Sequence, residues 1–259
     1  MFRADSVAGL GVGFLVGLTG VGGGALMTPI MVLLFGVSPR TAVGTDLWVA
    51  AITKIVGGSV HNRHGTVDWE VVRRLFYGSM PAAVLTLIWL HFSGISGYHD
   101  SNMMALLGAV LILSAVATLF KKQFHALGNT LRDRAPTQFK RLQPGLTVLA
   151  GAILGFLVTF TSVGAGALGA VMLLYLYPKR MKPSILIGTD IIHAVPLTFI
   201  AGIGHLLLGN VNYVLMMTLL AGSIPGVLLG ATVSTKAPDA FLRIAIATAL
   251  TFAGVKMLA

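Results

Sequence analysis

Two stretches of the chain, Ala105 to Phe120 and Ile244 to Val255, contain no charged residue at all. Runs of this kind meet the demand of a hydrocarbon core about 30 Å thick, which a spanning helix must cross with about 20 mostly apolar residues. Of the 259 residues only 10% are charged and 56% are hydrophobic, whereas a soluble domain carries about a quarter charged residues. Such a chain cannot clothe itself in polar groups, so lipid is its natural solvent. The expected class is an all-α polytopic membrane protein, because a helix satisfies its backbone polar groups within its own segment. Cysteine is absent, which removes disulfides, thiolate metal sites and cysteine nucleophiles from consideration. The formal charge of +10 sits in short segments between apolar runs, a pattern that orients a protein in a membrane and does not suit nucleic acid. The apolar run beginning at Val7 continues through glycines to Phe35 without a clear cleavage site, so a signal peptide is not expected.

The chain repeats itself. Gly13 to Leu26 (GFLVGLTGVGGGAL) lies over Gly155 to Leu168 (GFLVTFTSVGAGAL) with ten of fourteen positions identical, and such self-similarity constrains the fold before any other argument. After a two-residue shift the pairing continues, with Val43-Gly44-Thr45-Asp46 over Ile187-Gly188-Thr189-Asp190, His61 over His205, Val67-Asp68 over Val211-Asn212, and Gly78-Ser79-Met80-Pro81 over Gly222-Ser223-Ile224-Pro225. The expected organisation is a first repeat over residues 1–121, a basic cytoplasmic linker over 122–143 and a second repeat over 144–259.

Each half reads as one long apolar stretch interrupted by glycines, followed by three ordinary spans. In the first half these are Val7 to Phe35, Thr41 to Val60, Val71 to His91 and Met103 to Phe120; in the second, Gly145 to Tyr177, Ser184 to Leu208, Tyr213 to Val233 and Phe241 to Leu258. If all eight cross, lysine and arginine divide between the two sides about eleven to six. If the glycine-broken stretches enter and return as hairpins, the division sharpens to about fourteen to three, with the linker on the crowded, cytoplasmic side. The hairpin reading is preferred, and it leaves three crossings per half, so the second half must be inverted relative to the first. Eight crossings with discontinuous first and fifth helices remain the alternative.

Several motifs could carry chemistry. The tracts Thr19-Gly20-Val21-Gly22-Gly23-Gly24 and Thr161-Ser162-Val163-Gly164-Ala165-Gly166 disfavour a continuous helix, and a broken helix persists in lipid only beside protein or a wet cavity. Two helix N-termini meeting at the bilayer centre would form an anion site; close packing of small residues is the competing reading. Thr19, Gly22, Gly23, Gly24, Thr161, Ser162, Gly164 and Gly166 would cradle the ligand, with Thr45 and Thr189 as further hydroxyl donors. Asp46 and Asp190 lie about two turns inside their spans, and intramembrane acids serve ion or proton pathways or act as structural hydrogen-bond acceptors. His193, three residues after Asp190, could extend a proton relay. Lys54 could pair with Asp46, serve an anion pathway or snorkel to the interface. Tryptophans and tyrosines near span ends suit interface anchoring. Neither a nucleotide loop nor a metal constellation is recognisable, so no metal and no cofactor are expected.

On the glycine-rich hairpin, the Gly44 to Leu47 element (GTDL), its echo at Gly188 to Ile191 (GTDI) and the basic linker between two related halves, the chain resembles the sulfite exporter TauE/SafE family over nearly its whole length. The resemblance implies an inner-membrane permease exporting sulfite or a related organosulfur anion. The family often places serine or asparagine where this chain has Asp46 and Asp190, and a carboxylate beside an anion repels it unless protonated or paired. The resulting expectation is a secondary transporter of a small anion, proton- or ion-coupled by alternating access, and not an enzyme. Its partners would be the anion and the lipid bilayer, without nucleic acid; a homodimer is compatible with the sequence. A passive anion channel, or an intramembrane enzyme or scaffold using Asp190 and His193, are the alternatives.

Overall fold

The structure is a computed structural model that describes residues 9–11, 13–14, 24–95, 100–234 and 239–259. These residues form helices and short connections, with no strand among them. After the helical residues 9–11 and 13–14 come α1 (Gly24–Phe35), α2 (Pro39–Arg63), α3 (Trp69–Ile95), α4 (Asp100–Leu119), α5 (Lys121–Arg134), α6 (Pro136–Thr161), α7 (Ala167–Leu176), α8 (Pro183–Leu207), α9 (Tyr213–Ser234) and α10 (Asp239–Leu258). Among the described residues, four stretches are long and apolar enough to cross a bilayer: Trp69–Phe92, Ser101–Leu119, Pro136–Thr161 and Pro183–Leu207. Helix α2 has 25 residues, also ample length, but carries Gly44, Thr45, Asp46 and Lys54 within it. By contrast α7 has 10 residues, about 15 Å at 1.5 Å per residue, half of what a crossing requires.

The basic stretch between the halves is helical and not a loop. Phe124, Leu127 and Leu131 make an exposed apolar stripe along α5, while Lys121, Lys122, Arg132 and Arg134 supply its charge, the composition of a helix lying in a membrane interface. Pro136 then starts α6 at its first turn, where a missing N–H costs nothing. The second glycine-broken stretch therefore begins its helix well before Gly145.

Helices α6 and α7 fold back on one another. The Gln143 side-chain amide on α6 donates to the Leu176 carbonyl at the end of α7, and Thr147 hydrogen-bonds the Tyr177 hydroxyl at 2.8 Å. Arg74 near the start of α3 donates to the same hydroxyl at 2.9 Å. His125 of α5 donates from Nε2 to the Pro178 carbonyl at 2.8 Å. Lys179 pairs with Asp133, and Arg180 pairs with Asp68 and Glu70. The start of α3, all of α5, the first part of α6, the end of α7 and the start of α8 thus share one end of the bundle.

The contacts between halves come in reciprocal pairs. The Asp68 amide donates to Thr189 Oγ1 at 3.0 Å, and its counterpart, the Asn212 amide, donates to Thr45 Oγ1 at 3.1 Å. Gly44 lies against the Asn210 carbonyl, and Gly188 against that of Thr66. Gly155 lies against Ser79 and Gly13 against Ser223; Gly108 and Gly254 touch each other. Contacts of the form i with j and j′ with i′ are the pattern found at an isologous interface. Helices α2 and α8 cross among these contacts, held by the Trp48 indole donating to the Gly202 carbonyl at 3.0 Å.

Glycine is required where backbones touch. A β-carbon at Gly155 would overlap the Ser79 carbonyl oxygen, whereas one at Gly145 would meet nothing within 4 Å. Gly155→Val should therefore destabilise the α3–α6 crossing by about 1–3 kcal/mol as overpacking does, and Gly145→Ala should not. Thermal unfolding in detergent, followed by the loss of monodisperse protein, distinguishes the two.

Candidate functional site

The hairpin tip is built by a local exhaustion of helix. Thr161 turns its hydroxyl back onto the Leu157 carbonyl at 2.6 Å and accepts the Val163 amide at 3.1 Å. Ser162 then takes a left-handed conformation with φ 60°, and Gly164 follows at φ 119°, a region open chiefly to glycine. The Gly164 carbonyl accepts the amides of Leu168 and Gly169, both at 3.1 Å. The N–H groups of Gly164, Ala165, Gly166 and Ala167 find no acceptor among the described residues, although this tip is largely buried. Such groups are costly to bury unpaired and mark a place for water or a ligand. Ser162 Oγ is buried beside these groups as well.

Two carboxylates flank this tip. Asp46, 1% exposed, accepts a hydrogen bond from the Thr28 hydroxyl at 2.6 Å through one oxygen, while its other oxygen is buried without a partner. Ser162 lies within interaction range of this carboxylate, so the tip of the second half reaches the acid of the first. Asp190, 8% exposed, presses an unpaired oxygen against Gly169 on the third residue of α7, where the helix dipole favours negative charge. His193 bonds Ser79 of α3 through Nε2 at 2.9 Å and leaves Nδ1 buried and unpaired. Orphaned polar atoms thus concentrate between α2, α8 and the tip.

The expected site residues fare differently. Ser162, Gly164, Gly166, Asp46, Asp190 and His193 are brought into this central region. Thr45 and Thr189 are fully buried, but their oxygens accept the backbone bonds that tie the halves together. The Thr161 hydroxyl is used within its own tip. Gly24 begins α1, and Thr19, Gly22 and Gly23 lie outside the described residues. Two residues the sequence reading did not single out are Thr28 and Ser79. Ser79 stands in the repeated Gly-Ser-Met/Ile-Pro element and was discoverable there; Thr28 has alanine, Ala170, at its repeat position and offered no signal.

Both ends of the bundle carry cavities. One of about 460 Å³ is lined by Glu70, Arg74, Arg132, Lys140, Gln143, Tyr177, Lys179 and Arg180, a strongly basic mouth. Burial alone would lower the Arg180 guanidinium, but the hydrogen bond to Glu70 and the charges of Asp68 and Glu70 outweigh it and hold it above its ordinary value. The other, of about 260 Å³, is lined by Arg40, His91, His205 and Asn210 among others.

Comparison with known proteins agrees with this architecture. A family model described as sulfite exporter TauE/SafE matches residues 6–257. A protein of Bacillus subtilis (strain 168) named "Probable membrane transporter protein YjnA" is 40% identical over 96% of this chain and 97% of its own length. A "Probable membrane transporter protein" of Methanocaldococcus jannaschii is 28% identical over 97% of this chain and 93% of its own. No solved structure matches the chain.

Removing the Thr28 hydroxyl leaves the Asp46 carboxylate with one donor fewer in a buried setting. Thr28→Val should cost about 1.5–3 kcal/mol, the range for hydrogen bonds to charged groups. An unchanged midpoint in a denaturing-detergent titration would show that Asp46 does not depend on this bond.

Proposed function

Since the chain belongs to the sulfite exporter TauE/SafE family, and is accordingly a multi-pass membrane transporter, we propose that it carries a small anion, sulfite or an organosulfonate, outward across the cell inner membrane by proton-coupled alternating access. The observation that carries this reading is the hairpin tip of α6 and α7. Its unpaired N–H groups and Ser162 hydroxyl lie inside the bundle beside two buried carboxylates. Backbone amides with no acceptor suit an anion, and carboxylates within a span suit a proton pathway. In this reading Ser162, Gly164 and Gly166, with Thr19, Gly22, Gly23 and Gly24 of the first half, form the cradle, and Asp46, Asp190 and His193 handle protons.

Inversion of the halves is part of the proposal. Support comes from the fold-back of α6 and α7 and from the gathering of Arg63, Arg74, Arg132, Lys140, Lys179 and Arg180 towards one end, which the positive-inside rule assigns to the cytoplasm. The reciprocal contacts suit a two-fold axis lying in the membrane plane, the usual scaffold for alternating access.

The absence of cysteine makes topology easy to test. Single cysteines replacing Arg141 and Lys182 should react with an impermeant maleimide only from the cytoplasmic face, and one replacing His91 only from the opposite face. Arg141 and Lys182 labelling from opposite faces would exclude the hairpin. For coupling, sulfite uptake into proteoliposomes should lose its pH dependence in Asp46→Asn or Asp190→Asn. Retention of that dependence in both variants removes the carboxylates from the coupling role.

A further inference from the structure

Lys54 is 9% exposed and has no hydrogen bond and no ion pair within 4.0 Å among the described residues. A lysine held this far out of solvent is costly unless another charge compensates it. Its place in the fold is specific. The Trp48–Gly202 bond and the packing of Gly58 on Ile192 fix the antiparallel register of α2 and α8, which sets Lys54 level with Pro196. Its counterpart in the repeat is Thr198, only two residues away, so Lys54 stands almost on the two-fold axis. Asp190 is then six residues away along α8 and Asp46 eight residues away along α2, about 9 and 12 Å of rise. Both carboxylates, and His193, are within electrostatic reach of Lys54.

We propose that Lys54 is the cation that binds the transported anion, and that each monovalent anion moves together with one proton, so that transport is electroneutral. The inference rests on the anion-transporter reading above and adds to it a binding residue and a stoichiometry. Charge balance in a dry interior supplies the argument. The groups that face the region are Lys54 and Asp46 on α2, Asp190 and His193 on α8, Thr28 on α1, Ser79 on α3 and Ser162 at the tip. Lys121 also reaches Asp190, but from the basic end of the bundle, where solvent screens it. With His193 neutral, the empty site is uncharged overall when Lys54 is protonated, one carboxylate is ionised and the other holds a proton. An entering anion then balances the charge of Lys54 in place of the ionised carboxylate. The displaced carboxylate then binds a proton on oxygen, and the loaded site is again uncharged. One anion and one proton have entered, and no bond other than O–H has formed.

Proteoliposomes with a potential set by potassium and valinomycin test this, using methanesulfonate, which stays ionised across the working pH range, and inorganic sulfite. The expected result is saturable methanesulfonate uptake whose initial rate is unchanged by about 100 mV of either sign and which carries one proton per anion, read by an entrapped pH dye. Lys54→Gln should raise the half-saturating concentration by about tenfold or more, while Lys54→Arg keeps the one-to-one ratio even where its rate falls. Uptake that carries current, uptake without proton movement, or Lys54→Gln saturating as the parent does would each overturn the proposal. Should Lys54→Gln fail to yield monodisperse protein, Lys54→Met is read in its place, and a half-saturating concentration equal to the parent's overturns the proposal equally. Current-carrying flux would leave the transporter reading standing, whereas saturable flux of neither probe under any gradient would remove that reading and this one with it.

Discussion

A polypeptide in lipid has to place every N–H and C=O, since the solvent accepts none of them. That requirement governs the molecule more than any single contact. Along most of its length the chain meets it with unbroken helix. Between Thr161 and Ala167 it does not, and the interruption survives because α2, α3, α6 and α8 close around it and keep lipid away. Burial of the tip is therefore a condition of its existence, and the surrounding helices must approach closely enough to provide it. The glycines at 151, 155 and 188 allow that approach by letting backbone lie directly on backbone.

The reciprocal contacts between halves serve the same economy. The second half opens on a helix pair whose broken member cannot be hidden by that pair alone, and helices of the first half supply part of the cover. Reciprocal hydrogen bonds from Asp68 and Asn212 to Thr189 and Thr45 show how little the two copies have diverged at their crossing. Divergence is concentrated inside: His193 answers to Val49, Lys54 to Thr198 and Thr28 to Ala170. Surfaces that must match across the axis are held alike, while the interior has been free to acquire one-sided chemistry.

Much of this was legible in the residues. The apolar runs gave the all-helical, polytopic class and, among the described residues, the order of the later helices in each half, because lipid leaves few other ways to arrange such a sequence. The break at Ser162 to Gly166 and the buried positions of Asp46 and Asp190 were anticipated from composition alone. What escaped was long-range. Nothing local announces that Thr45 and Thr189 spend their oxygens on the opposite half, since that depends on which backbone amide arrives there after folding. Nor could the helical state of the linker be read from its charge, because an interfacial helix and a solvated loop share a similar composition. Only its apolar positions at Phe124, Leu127 and Leu131 separate the two, and they become meaningful once α7 is known to pack nearby.

The placement proposed for Lys54, between the two acids, has an energetic consequence for a carrier built from two related halves. Alternating access requires the inward- and outward-open arrangements to lie within a few kcal/mol of each other, since a larger gap would leave one of them unpopulated. A buried charge near one end would favour whichever arrangement solvates that end. A charge at the centre has nearly the same surroundings in both and biases neither. In the proposed cycle either acid can balance that charge when it is ionised. This division, paired acids towards the two sides and a single base between them, is the simplest arrangement in which one internal charge can serve both states without trapping the protein in either.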